Sequence, residues 1–307
     1  HNLQLSKPLN FYLVQESLQL STKDIILIQM NGTWSVKYMN NPQENTSNTL
    51  ELPSSLKKIG HFLLSNSLNA KYFYGRENEL KKLNIIRHKT IKNNVLIIGN
   101  PGTGKTTLVE AYAHQYNISN IFVVECAKLI SNTEYRGSFE QKVIELVNFA
   151  QSMHLILFFD ELHVLIDMGK SQGGISITDI LKPYLLDSDL VFIGATTIKE
   201  SMFLMHDEAF QRRFTPILLD EPTDIQLLSI KKKFEQTVVK KQLLTDQELM
   251  NVIAILREKL VTQYFPDKLI DFLDYTNAYQ TVINCNINYI DLLEEYVNDQ
   301  RLAHTNI

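Results

Sequence analysis

The stretch Gly99-Asn100-Pro101-Gly102-Thr103-Gly104-Lys105-Thr106 constrains this chain more than any other. It reads G-x-x-x-x-G-K-T. Val95-Leu96-Ile97-Ile98 precedes it with strand character, and Thr107-Leu108-Val109-Glu110-Ala111-Tyr112-Ala113 follows with helix-forming residues. Strand, glycine-rich loop and helix in that order suit a nucleoside triphosphate. The glycines let backbone N–H groups turn inward onto phosphate oxygens, and the positive end of the next helix attracts the same anion. In such a loop Lys105 reaches the β- and γ-phosphates of ATP, and the Thr106 hydroxyl holds Mg2+. Gly99 to Thr106, with Thr107, are the expected nucleotide-binding residues.

The pattern around this loop predicts an α/β fold. Buried strands are expected at 94–98, 121–126, 155–159, 190–195 and 215–219, with helices at 77–88, 105–116, 138–152, 175–186 and 207–213. Such alternation implies a parallel sheet with helices on both faces, and a ligand site beyond the carboxyl ends of the strands. After Pro222 the pattern is helical to the end. Four regions follow: a β-rich extension over 1–50, a linker helix over 51–70, a large α/β nucleotide-binding domain over 71–220 and a small helical domain over 221–307. In the extension, Asn31-Gly32 between two β-prone runs is a strong hairpin signal.

Composition removes several alternatives. Hydrophobic content of 44% and charged content of 21% suit a soluble globular chain, and 307 residues allow two cores. The net charge of −4 comes without a strong basic stripe, so nucleic acid is not an expected partner. Lys231-Lys232-Lys233 and Lys240-Lys241 read as a solvated helix face. No apolar run reaches the ~18 residues of a membrane span, so no membrane partner is expected. Cys126 and Cys285 lie outside any C-x-x-C pattern, which predicts neither a disulfide nor zinc.

The chemistry-bearing residues lie at strand ends. Leu155-Ile156-Leu157-Phe158-Phe159 runs into Asp160-Glu161. Asp160 is the expected Mg2+ partner and Glu161 the expected general base that polarises water. The alternative is that one acid only caps the next helix. The next apolar strand ends at Thr196-Thr197, where a hydroxyl holds the lytic water or contacts the γ-phosphate, or else this is a plain strand terminus. Arg212 and Arg213 place two guanidiniums at a helix end. Arginine suits charge on a transferring phosphoryl group, though a solvated basic pair reads equally well. His163 reads as an ordinary side chain near a helix start.

Together these residues resemble an AAA+ ATPase, and specifically the first nucleotide-binding domain of the Clp family of protein unfoldases. The resemblance runs from about 56 to 275. It takes in Tyr74-Gly75-Arg76-Glu77-Asn78-Glu79-Leu80, the phosphate loop, Glu134-Tyr135-Arg136-Gly137-Ser138-Phe139-Glu140, Phe158-Phe159-Asp160-Glu161-Leu162-His163, Gly194-Ala195-Thr196-Thr197, Arg212-Arg213-Phe214 and Phe265-Pro266-Asp267-Lys268. It implies that Phe73 and Tyr74 flank adenine, with Leu228 a softer candidate. It implies that Thr197 is a sensor, and that Arg212 and Arg213 act on ATP held by a neighbouring subunit of a ring, typically a hexamer. Lys268 lies near the nucleotide or else pairs with Asp271 on the surface. Tyr135 lies on a pore loop that grips polypeptide, where an aromatic ring offers sequence-tolerant contact.

The function implied is an ATPase that threads polypeptides through a central pore, for unfolding, disaggregation or delivery to a protease. A Clp-type protease or an adaptor is a further partner the resemblance allows. The alternatives are a slow-turnover ATP-binding switch and an AAA+ protein that remodels nucleic acid. A reducing compartment is expected: bacterial cytoplasm, or plastid or apicoplast stroma. The extension departs from the family, whose N-terminal domain is a helical repeat.

Overall fold

The computed structural model of the chain describes residues 25–30, 33–38, 49–50, 52–63, 73–130, 136–165, 180–186, 190–283 and 288–305. Strands β1 (Ile25–Met30) and β2 (Thr33–Tyr38) pair antiparallel from Met30↔Thr33 outward to Ile25↔Tyr38. That is the register a two-residue connection imposes. A short strand β3 (Thr49–Leu50) adds to the free edge of β2.

The linker helix expected over 51–70 is corrected within the described residues. Pro53 starts only a single helical turn, α1 (Ser54–Lys57), and β4 (Gly60–Phe62) follows at once. Gly60 is the reason: a Cβ there would collide with the Val123 carbonyl and the Phe122 ring, so only glycine lets this strand lie so close.

The main sheet has the order β4-β6-β7-β8-β5-β9. In chain order its elements are α2 (Glu77–Arg87), β5 (Asn94–Ile98), α3 (Lys105–Gln115), β6 (Ile121–Glu125), α4 (Cys126–Ile130), α5 (Arg136–Ser152), β7 (Ile156–Asp160), β8 (Val191–Thr196), α6 (Ile198–His206), α7 (Glu208–Arg213) and β9 (Phe214–Leu218). The five strands from β6 to β9 are parallel, as the pattern predicts, and β4 adds an antiparallel edge on β6. Side chains alternate between two cores. Leu96, Phe122, Phe159 and Phe192 face α5; Val95, Ile97, Val123 and Ala195 face α2 and α3. The smaller residues lie under α3, the helix that carries the phosphate loop. Fully burying each large apolar side chain is worth about 1.5–3 kcal/mol, so the four buried apolar residues of β5, Val95 to Ile98, anchor the loop firmly.

The remaining helices are α8 (Asp224–Phe234), α9 (Asp246–Lys259), α10 (Asp267–Ile283) and α11 (Tyr289–Thr305). They close a third core around Leu227, Phe234, Leu256, Phe265, Phe272 and Tyr296. Thr223 and Thr245 start α8 and α9 with reciprocal capping boxes to Gln226 and Glu248. Lys231 departs from the solvated face expected of it. It is buried, pairs with Glu235 at 3.2 Å and donates to the Leu244 carbonyl.

Candidate nucleotide site

Strand order builds the site. β8 lies between β5 and β7, so the phosphate loop and the acids that end β7 stand roughly two strand spacings apart, ~10 Å, with Thr196 and Thr197 between them. Helix α3 bridges the gap: the Thr106 hydroxyl donates to Asp160 Oδ2 at 2.7 Å. Both partners are hard oxygen donors of the kind Mg2+ takes.

The loop is shaped by two glycines in left-handed backbone, Gly102 at φ 76° and Gly104 at φ 89°. The Thr103 hydroxyl donates to the Asn100 carbonyl at 2.8 Å and keeps the turn tight. Lys105 Nζ donates to the carbonyls of Gly99 and Asn100, both at 3.0 Å. Burial lowers its pKa, while the carboxylates of Asp160, Glu200 and Glu161 pull the other way. An ammonium folded over its own loop and partly desolvated is ready to exchange carbonyls for phosphate oxygens.

Glu161 is exposed, with φ 56° in left-handed backbone. For a non-glycine residue that costs about 1–2 kcal/mol. The turn is fixed by the Glu161 amide donating to Asp160 Oδ1 at 3.1 Å and the Leu162 amide donating to the Ala195 carbonyl at 2.9 Å. The strain is therefore held between β7 and β8, and the Glu161 carboxylate lines the cleft.

That cleft measures about 450 Å³, within the range of small-molecule sites. Phe73 and Tyr74 line it; Phe73 packs on the α2–α3 core and Tyr74 is exposed. Ile230, Pro266, Asp267 and Ile270 line it from the helical region, whereas Leu228 packs into the helical core instead. The Asp267 amide donates to the Gly102 carbonyl at 3.3 Å, which ties α10 to the phosphate loop. Burial, with Asp271 adding, raises the Asp267 carboxyl above its usual range.

Other expected residues lie elsewhere. The surface pairing of Lys268 with Asp271 is corrected. Lys268 is buried and lies outside the cleft lining, with Nζ donating to the carbonyls of Leu260 at 3.1 Å and Gln263 at 2.9 Å, 4.3 Å from the centre of the Phe265 ring. Asp271 accepts instead from the Tyr296 hydroxyl at 2.6 Å. Arg212 pairs with Glu208 at 3.3 Å on the surface, and Arg213 donates to the Ile91 carbonyl at 3.4 Å; neither lines the cleft. Tyr135 lies outside the described residues. His163, read from sequence as ordinary, lines the cleft beside Glu200. The sequence signal was weak, because the two are remote in sequence and meet only through the β7–β8 pairing.

Loop, acids and strand order define an ATPase module of the AAA+ class. Residues 95–219 match the family described as ATPase family associated with various cellular activities (AAA). Over these residues the chain is an AAA+ ATPase module, and it resembles the first nucleotide-binding domain of the Clp branch. It is 35% identical over 241 residues to the chaperone protein ClpB of Wolinella succinogenes, covering 73% of this chain and 28% of that protein. The S. cerevisiae Hsp104-ADP complex superposes with a TM-score of 0.68 at 26% identity, covering 80% of this chain and 45% of that one. An extended S. cerevisiae Hsp104:casein complex gives 0.61 at 26% identity, over 76% and 42% of the two chains. The chain spans between 22% and 33% of the length of the curated relatives it matches. Among the described residues no helix is long and apolar enough to cross a membrane.

Proposed function

We propose that this chain is the ATP-hydrolysing module of a Clp-type ring that threads polypeptides through a central pore. One observation carries the reading: the Thr106 hydroxyl of the phosphate-loop helix meets the Asp160 carboxylate at 2.7 Å, with Glu161 next to it in the same cleft. In this reading Phe73 and Tyr74 flank adenine, and the amides of Gly99 to Thr107, with Lys105, hold the phosphates. Thr106 and Asp160 hold Mg2+, which when bound neutralises charge on the β- and γ-phosphate oxygens. Glu161 takes a proton from water as the water oxygen bonds to the γ-phosphorus. The bond from that phosphorus to the bridging oxygen breaks, and ADP and phosphate leave.

Arg212 and Arg213 serve the cleft of the next subunit. Residues 71–220 and 221–307 act as two units, hinged where the Asp267 amide meets the Gly102 carbonyl. Tyr135 contacts the translocated chain; the structural neighbour Hsp104 of S. cerevisiae is itself solved in complex with casein. A Clp-type protease or an adaptor completes some such assemblies.

Glu161→Gln tests the base. It should keep ATP binding and lose turnover by about 10²- to 10⁴-fold. A variant that turns over at the parent rate removes Glu161 from this role. A parent that binds ATP in a ring without turnover points to a binding switch instead.

A further inference from the structure

We propose that His163 is a positioning residue for hydrolysis, acting through Glu200 on the Thr196–Thr197 hydroxyl pair. The proposal rests on the reading that this cleft hydrolyses ATP. His163 follows directly on the Glu161-Leu162 turn that leaves β7, and Glu200 lies in the first turn of α6. His163 Nδ1 lies 3.0 Å from Glu200 Oε2, both side chains largely shielded at 21% and 28% exposure. Nδ1 is buried and has no hydrogen-bond partner as it stands. The contact is one of position: Nδ1 faces a carboxylate oxygen at close range.

The same Oε2 collects the Thr197 amide at 3.2 Å, the Thr197 hydroxyl at 2.6 Å and the buried Thr196 hydroxyl at 3.4 Å. The consequence for Thr197 is chemical. Its one proton is committed to Glu200, and one lone pair accepts from the Glu200 amide at 3.4 Å. What remains is an acceptor. A free acceptor repels a phosphate oxygen and accepts from water, so Thr197 is set to orient the attacking water.

A capping box alone needs only Thr197 and Glu200. His163 adds a third partner that capping does not require, and it follows closely on the general base. It thereby fixes the spacing between Glu161 and the hydroxyl that holds the water.

The test uses the full chain with His163→Ala and His163→Asn, whose amide nitrogen can stand near the position of Nδ1. His163→Ala should lower kcat by about ten- to a hundredfold while ATP Kd stays within about twofold, and His163→Asn should recover most of the rate. Unchanged kcat in His163→Ala, a loss confined to KM, or an equal loss in both variants overturns the proposal. A second readout needs no turnover: nitrogen NMR should show the proton of His163 on Nδ1 in the parent, and a shift of that signal in Glu200→Gln. A parent with Nδ1 bare overturns the proposal even in a preparation that hydrolyses nothing. The hydrolysis reading fails separately, as a parent that binds ATP and never turns over.

Discussion

In the proposed function the phosphate-loop cleft and the arginine pair of α7 both serve phosphate, but they are built differently. Lys105, Thr106 and Asp160 are partly buried, and each is held by a neighbour in the same cleft. Arg212 is 77% exposed and, among the described residues, tied only to Glu208, itself 81% exposed. Surface pairs of that kind are worth about 0–1 kcal/mol, so Arg212 is free to leave for a better partner. In the proposed function one half of the catalytic set is assembled within the chain and the other half is presented outward, for a second subunit of the proposed ring to unite.

The largest expected effect breaks that union. Arg212→Ala with Arg213→Ala should cut turnover of the assembled protein by about 10³-fold or more and leave ATP affinity unchanged. Mixing those chains with Glu161→Gln chains should restore part of the rate, because each supplies what the other lacks. Mixtures as dead as either parent would place the arginines outside a shared site. Lys105→Ala acts within the chain and should weaken ATP binding by about 1.5–3 kcal/mol, roughly ten- to a hundredfold, at any protein concentration. Calorimetric titration reads this, and an unchanged Kd would contradict the cleft.

Lys268→Met sharpens the comparison from the other side. Lys105 and Lys268 both donate to two carbonyls, but only Lys105 lines the cleft. Removing the Lys268 ammonium takes a donor from the buried Leu260 carbonyl and the partly buried Gln263 carbonyl, at a cost of about 1–3 kcal/mol. The unfolding midpoint should fall while ATP affinity holds. Loss of ATP binding without loss of stability would return Lys268 to the nucleotide.

These cases show what the sequence made legible. The central strands were readable because apolar runs on both faces of a parallel sheet leave long uninterrupted patterns, as in Val95 to Ile98 and Leu155 to Phe159. The phosphate loop was readable because its chemistry is contiguous. β4 was missed because three residues, one of them an exposed histidine, carry no period, and its glycine serves a contact with β6 made across the fold. Lys268 was misread because i,i+3 spacing offered Asp271, whereas packing on Phe265 turned the side chain inward. His163 and Glu200 share no motif spacing, and only strand pairing brings them together.

The central claim is that hydrolysis needs two chains, and one measurement tests it most directly. ATP turnover per chain should be followed against protein concentration, with mass from light scattering on the same samples. The account predicts a rate that climbs as rings form and falls to a small residue in the monomer. A monomer that turns over at the rate of the ring would contradict it.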